Sequence, residues 1–230
     1  YAFDVYGNSG ADVIAFTDSL IKYLPTSRMV DRYTDQPASG YSDYNRDALC
    51  IAQFNRGSAL HIYKGTVNNR YHNAGCLDQT RGASLVPLSG NQFKTAFLYV
   101  SGCGGGDFDR TELDVVGRPL NEQLLENRDE RGAWGYFGPS RGTWQYGNYL
   151  MDKAFLGQLY SKGAPSIGQA AARAVYQLAT EHPELRDQAL SFNLIAAPSV
   201  RLAGMIVNTT GVDNQPVSSP LALATPEIGG

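Results

Sequence analysis

Apolar and polar positions along the chain switch repeatedly between two spacings, and the switches lay out an alternating series of strands and helices. Residues 8–24, NSGADVIAFTDSLIKYL, place Val13, Ile14, Phe16, Leu20, Ile21 and Leu24 at helical spacing between a glycine-containing turn and Pro25. The short apolar stretches YAFDVY (1–6) and RMVDRY (28–33) on either side suit strands, so the chain opens as strand, helix and strand with a crossover. A polar loop leads to DYNRDALCIAQFNRG (43–57), where Tyr44, Ala48, Ile51 and Ala52 share one helical face, Cys50 is expected inside and Gly57 is placed to end the helix.

SALHIYKG (58–65) and TAFLYVSGC (95–103) are apolar or aromatic on both alternating faces and bounded by glycine, the pattern of buried parallel strands. The long polar segment between them, 66–94, is expected to form a cleft, because irregular backbone of that length tends to be retained where it builds a site. Further on, Pro119 suits the first helical position of PLNEQLLEN, and GAWGYFG (132–138) reads as a strand. YLMDKAFLGQLYSKG reads as a helix that groups Met151, Ala154, Phe155 and Leu159. SIGQAAARAVYQLATEHP has a capping box in Ser166 and Gln169, one stripe in Ile167, Ala170, Ala171, Ala174 and Leu178, and Pro183 as its stop. LSFNLI (190–195) supplies a last strand.

This alternation predicts an α/β fold, a mostly parallel sheet flanked by helices on both faces, with ligands beyond the carboxyl ends of the strands. Cys103 falls at such an end. At 230 residues one core is expected, over 1–203. Residues 204–230, with Asp213 and Glu227 as their only charges, form a C-terminal extension or the start of an appended β segment.

Composition narrows the partners. Hydrophobic residues at 43% and charged residues at 18% exclude a disordered tail, and a net charge of −3 offers no field for phosphates, so no nucleic-acid partner is expected. No apolar run is long enough for a membrane span. The start at Tyr1, without a basic-then-apolar leader or an early strand, fits a chain processed from a longer precursor. Fourteen tyrosines and 25 glycines resemble a secreted, extracellular protein. Cys50, Cys76 and Cys103 are an odd set, so at most one disulfide forms among them. Their spacing suits no metal, and no cofactor is expected.

SGCGGGDFDR (101–110) is where chemistry concentrates. A thiol followed by glycines has backbone N–H groups at hand for an oxyanion, Gly104 first among them, although a buried cysteine beside a tight turn gives the same letters. Asp107, Asp109 and Glu112 do not follow a calcium-loop order and are read as a turn-fixing residue and surface carboxylates. His61 falls inside a strand, and His182 at the carboxyl end of a helix, where a cation is favoured. Trp134, Trp144 and Tyr146 are read as packing residues, with a substrate groove as the competing reading.

FLYVSGCGGGDFD resembles the nucleophile strand of the gingipain family of cysteine peptidases, an apolar strand running into Ser-Cys-x-x-Gly-Asp-Phe. LNEQLLEN, RGAWGYFGPSRGTW, SIGQAAARA and LIAAPSVRL are similar, in order, to later motifs of that family, so the resemblance spans nearly all of residues 1–203. It implies a caspase-like fold, secretion, and hydrolysis of peptide bonds in a peptide or protein substrate by Cys103 with a histidine base. The family's Tyr-x-Gly-His-Gly-Ser exit aligns with HIYKGTVNNRYHNAG, matching Tyr63 and Gly65, but Thr66 occupies the histidine position and Val67 that of the following glycine. Threonine cannot take the thiol proton near neutral pH. His72, in the same loop, is the remaining candidate base. Two readings therefore stand: a thiol peptidase using Cys103, Gly104 and His72, or a catalytically inactive homologue that acts as an extracellular binding or self-assembling protein.

Overall fold

A computed structural model describes residues 2–5, 11–25, 31–34, 52, 55–64, 95–103, 124–125, 132–202 and 205. Among the described residues, six strands make one sheet: β1 (Ala2–Val5), β2 (Asp31–Thr34), β3 (Leu60–Lys64), β4 (Ala96–Ser101), β5 (Ala133–Pro139) and β6 (Phe192–Ile195). Their order is β2-β1-β3-β4-β5-β6, parallel throughout except that β6 runs antiparallel to β5. This is the mostly parallel α/β arrangement that the alternating pattern predicts. The chain leaves β1 toward β2 on one side and returns to build β3, β4 and β5 on the other, the reversal at which crevices open beyond strand ends.

The two continuous apolar runs behave as expected, since every residue of β3 and of β4 is buried. Alternation then sorts their side chains between the two faces of the sheet. Leu60, Ile62, Phe97 and Tyr99 join the large core cluster, whereas His61, Tyr63, Leu98 and Val100 are buried outside it.

Three longer helices are described: α1 (Ala11–Ile21), α2 (Gln145–Tyr160) and α3 (Ile167–Glu181). α1 docks on α2 through Phe16, which stacks on Tyr149 with centroids 4.3 Å apart, and Leu20, with Leu24 just past the helix, joins the core cluster. α2 starts at Gln145, earlier than its apolar spacing predicts, and packs against both the sheet and α3 with Met151, Phe155 and Leu159 fully buried. α3 buries Ile167, Ala170, Ala171, Ala174 and Leu178, the predicted stripe, and the Ser166 side chain accepts a hydrogen bond from the Gln169 amide at its start. A 3-10 turn (Pro183–Leu185) and a short helix, α4 (Arg186–Leu190), then lead into β6. The spacing did not predict them, and Leu190, expected in the last strand, ends α4 instead.

Gly57 has φ +82°, the left-handed conformation expected of a residue that stops a helix. Gly132 has φ +86°, and a Cβ there would meet the Leu124 carbonyl oxygen at 2.3 Å, so only glycine permits this entry into β5. Ala52, assigned by spacing to a buried helical face, is exposed. Cys50 and the rest of that face lie outside the described residues.

Candidate active site

The C-terminal ends of β3 and β4 lie side by side, with Lys64 paired in register to Ser101. Cys103 follows two residues after Ser101, partly exposed and with a free thiol. Its Sγ donates to the Thr143 carbonyl oxygen at 3.1 Å, and the Thr143 hydroxyl lies 3.8 Å from the sulfur. Thr143 belongs to the turn between β5 and α2, so the thiol rests against the entrance of that helix.

The entrance is itself held. Gln188, buried on α4, accepts from the Trp144 amide at 3.1 Å and donates to the Trp144 carbonyl at 2.9 Å and to Asn148 Oδ1 at 3.1 Å. One carboxamide therefore satisfies both main-chain groups of Trp144, and α2 needs no side-chain cap. The indole is left 78% exposed, next in sequence to the residue that contacts the thiol. Tyr146 is exposed as well. These two correct the packing reading, which holds for Trp134, whose ring lies 5.2 Å from that of Phe97. Aromatic letters do not distinguish a strand position from a turn held open by a residue more than forty positions away.

Behind the thiol lies a buried charged network. The Lys64 ammonium pairs with the Asp152 carboxylate of α2 and donates to Ser101 Oγ at 3.2 Å, while the Tyr99 hydroxyl donates to the other Asp152 oxygen at 2.6 Å. All four residues are almost completely inaccessible. Sequence reasoning passed over them. A signal was present, since Asp152 stands on the apolar stripe of Met151, Phe155 and Leu159, and Lys64 is the only charge in an otherwise apolar strand.

Tyr99 has its phenol pKa raised well above the ordinary 10.0, first by burial, then by the Asp152 charge and hydrogen bond, and last by Tyr136. Burial likewise raises Tyr136. Both phenols stay protonated in the fold at a pH where the unfolded chain releases them. Their contribution is therefore complete below about pH 10 and is lost as pH rises above it, by about 1.4 kcal/mol per pH unit for each group. Denaturant titrations between about pH 9 and about pH 11 should show this fall, and the Tyr99→Phe/Tyr136→Phe variant should flatten it.

The predicted site residues divide unequally. Cys103 is where the strand-end reading puts it. His61 is 1% exposed and in register with Leu98, five residues before Cys103, which at about 3.3 Å per residue leaves it roughly 16 Å along the strand from the thiol. It is not the base. His182 caps the carboxyl end of α3, with Nδ1 3.3 Å from Glu184 and its ring edge-on to Tyr146. Gly104, Thr66, Val67, His72 and Cys76, and likewise Asp107, Asp109 and Glu112, lie outside the described residues. Among the described residues no cluster of metal-ligating side chains occurs, and no helix is long and apolar enough to cross a membrane.

Comparison with known proteins gives the same direction as the motifs. The complex of Porphyromonas gingivalis RgpB pro- and mature domains is similar in fold, with a TM-score of 0.68 and 13% identity over 89% of this chain and 48% of that one. The Arg-specific cysteine proteinase gingipain R (RgpB) is similar at a TM-score of 0.65 and 14% identity, with the same coverage. The chain thus spans about half the length of these structures, 48%. None of the curated proteins matches it. The model of peptidase family C25 matches residues 5–203, and with the caspase-like sheet, the thiol at its rim and the gingipain fold all in agreement, the chain belongs to that family.

Proposed function

We propose that residues 1–203 form a gingipain-like cysteine peptidase domain that hydrolyses peptide bonds in protein substrates, with 204–230 as an extension. The observation that carries this reading is the placement of Cys103, a free, partly exposed thiol at the C-terminal rim of a parallel sheet, beside an exposed Trp144. Cys103 Sγ attacks the scissile carbonyl carbon. Its proton passes to His72 and from there to the departing amine, the oxyanion is met by the Gly104 amide, and water then releases the acyl group from sulfur. Trp144 offers the substrate an apolar wall. Family membership and the tyrosine-rich, glycine-rich composition favour work outside the cell.

A second reading is favoured by one specific observation: Thr66 stands where the family motif has its histidine. On that reading the chain keeps the scaffold and the thiol and acts as an extracellular binding or self-assembling protein.

Cleavage of a denatured protein substrate tests the two. The peptidase reading expects turnover that falls at least about a thousandfold in Cys103→Ala and about a hundredfold or more in His72→Ala. If the native chain cuts nothing and Cys103 reacts with iodoacetamide no faster than free cysteine, the second reading replaces the first.

A further inference from the structure

The buried Lys64–Asp152 pair is unexplained by peptide hydrolysis as described. It is no serine–lysine dyad, because Ser101 and Lys64 are only 2% and 3% exposed and the amine is committed to a carboxylate. Stability does not account for it either. Burying two charges costs solvation that their attraction only just repays, and apolar residues of similar volume generally serve a core as well.

Its placement is more informative. Lys64 is the last residue of β3, the strand that runs into the segment of Gly65 and Thr66. Ser101 is the last residue of β4, two before the thiol. Asp152 lies two helical turns into α2, whose entrance supplies the carbonyl that the thiol touches. One ammonium group thus ties together the three elements whose ends converge on Cys103. Charge-assisted bonds are directional and do not survive a slip of one residue, whereas apolar contacts tolerate small shifts.

We propose that Lys64, through Asp152 and Ser101, is a positioning residue that sets the Cys103 sulfur against the Thr143–Trp144 turn. The proposal deepens the peptidase reading and rests on it only for its consequence in turnover, because thiol alkylation reports on it whether or not any peptide is cut.

The test is the pH profile of Cys103 alkylation by iodoacetamide in the folded protein, measured beside its denaturant midpoint. In Lys64→Met/Asp152→Leu both charges are replaced by apolar groups. The midpoint should return close to that of the native chain, while the alkylation profile stays displaced, with a rate at least about threefold higher across the range as the sulfur loses its fixed contact. A pair that is merely structural would restore both. A double variant with native stability and a superimposable alkylation profile overturns the proposal. Tyr99→Phe keeps the ring and removes one donor to Asp152, so it decides the matter if the double variant does not fold. About a twofold displacement is expected there, and an unchanged profile is evidence against.

Discussion

Lys64→Met, made alone, is expected to lower the unfolding free energy by about 3–5 kcal/mol. Methionine is unbranched and close to the lysine stem in length, so little of the loss comes from packing. It comes from Asp152, which is left as a carboxylate at 0% exposure with the Tyr99 hydroxyl as its remaining named donor. A buried charge stripped of its counter-charge keeps the full penalty of leaving water. Asp152→Asn should cost less than Lys64→Met, because the amide still accepts from Tyr99 and the long lysine stem has more freedom to turn its ammonium toward water. Denaturant midpoints at neutral pH measure both. Equal and small losses, below about 1 kcal/mol, would mean that water already reaches the pair.

Phe155→Ala is expected to cost about 3–5 kcal/mol through a different mechanism. The Phe155 ring sits at the centre of the sheet–helix contact, with centroids 4.9 Å from Tyr99, 4.6 Å from Phe137 and 6.5 Å from Phe97. Each of those rings comes from a strand, and none can follow the receding side chain without leaving its own rotamer. A cavity therefore remains. Phe155→Leu should recover most of the loss, leaving about 1–1.5 kcal/mol. If alanine and leucine destabilise alike, the ring's electrostatic edge contacts matter more than its volume.

The parts of this fold that the letters announce are those whose stabilisation is local or periodic. The Ser166 cap, the α3 stripe and the stop at Pro183 all fall within one helix, and β3 and β4 are marked by the unbroken apolar runs that burial on both faces requires. The reversed direction of β6 was less plain, yet it follows from counting. One helix returns a chain to the edge where a parallel strand begins, but α2 and α3 together return it to the opposite edge, so the next strand must run backwards. The place of Cys103 was legible because the apolar run of β4 stops just before it, at Ser101. The Lys64–Asp152 pair was not, since its members stand 88 positions apart: each charge stands out against its own apolar element, but nothing local says that the two meet until the sheet brings them together. Trp144 was misjudged for the same reason: the residue that holds its backbone, Gln188, is remote in sequence.

The backward course of β6 also governs how the molecule can be handled. Val200 and Pro198, which follow it, accept hydrogen bonds from the Ile167 and Gly168 amides at the start of α3, the pole of the sheet away from Cys103. A tether or label joined directly after Met205, in place of the residues that follow, would start near that far pole. An immobilised preparation anchored this way should keep its thiol open to even a bulky macromolecule, whereas anchoring through the turn that carries Trp144 would bring the support matrix against the sulfur.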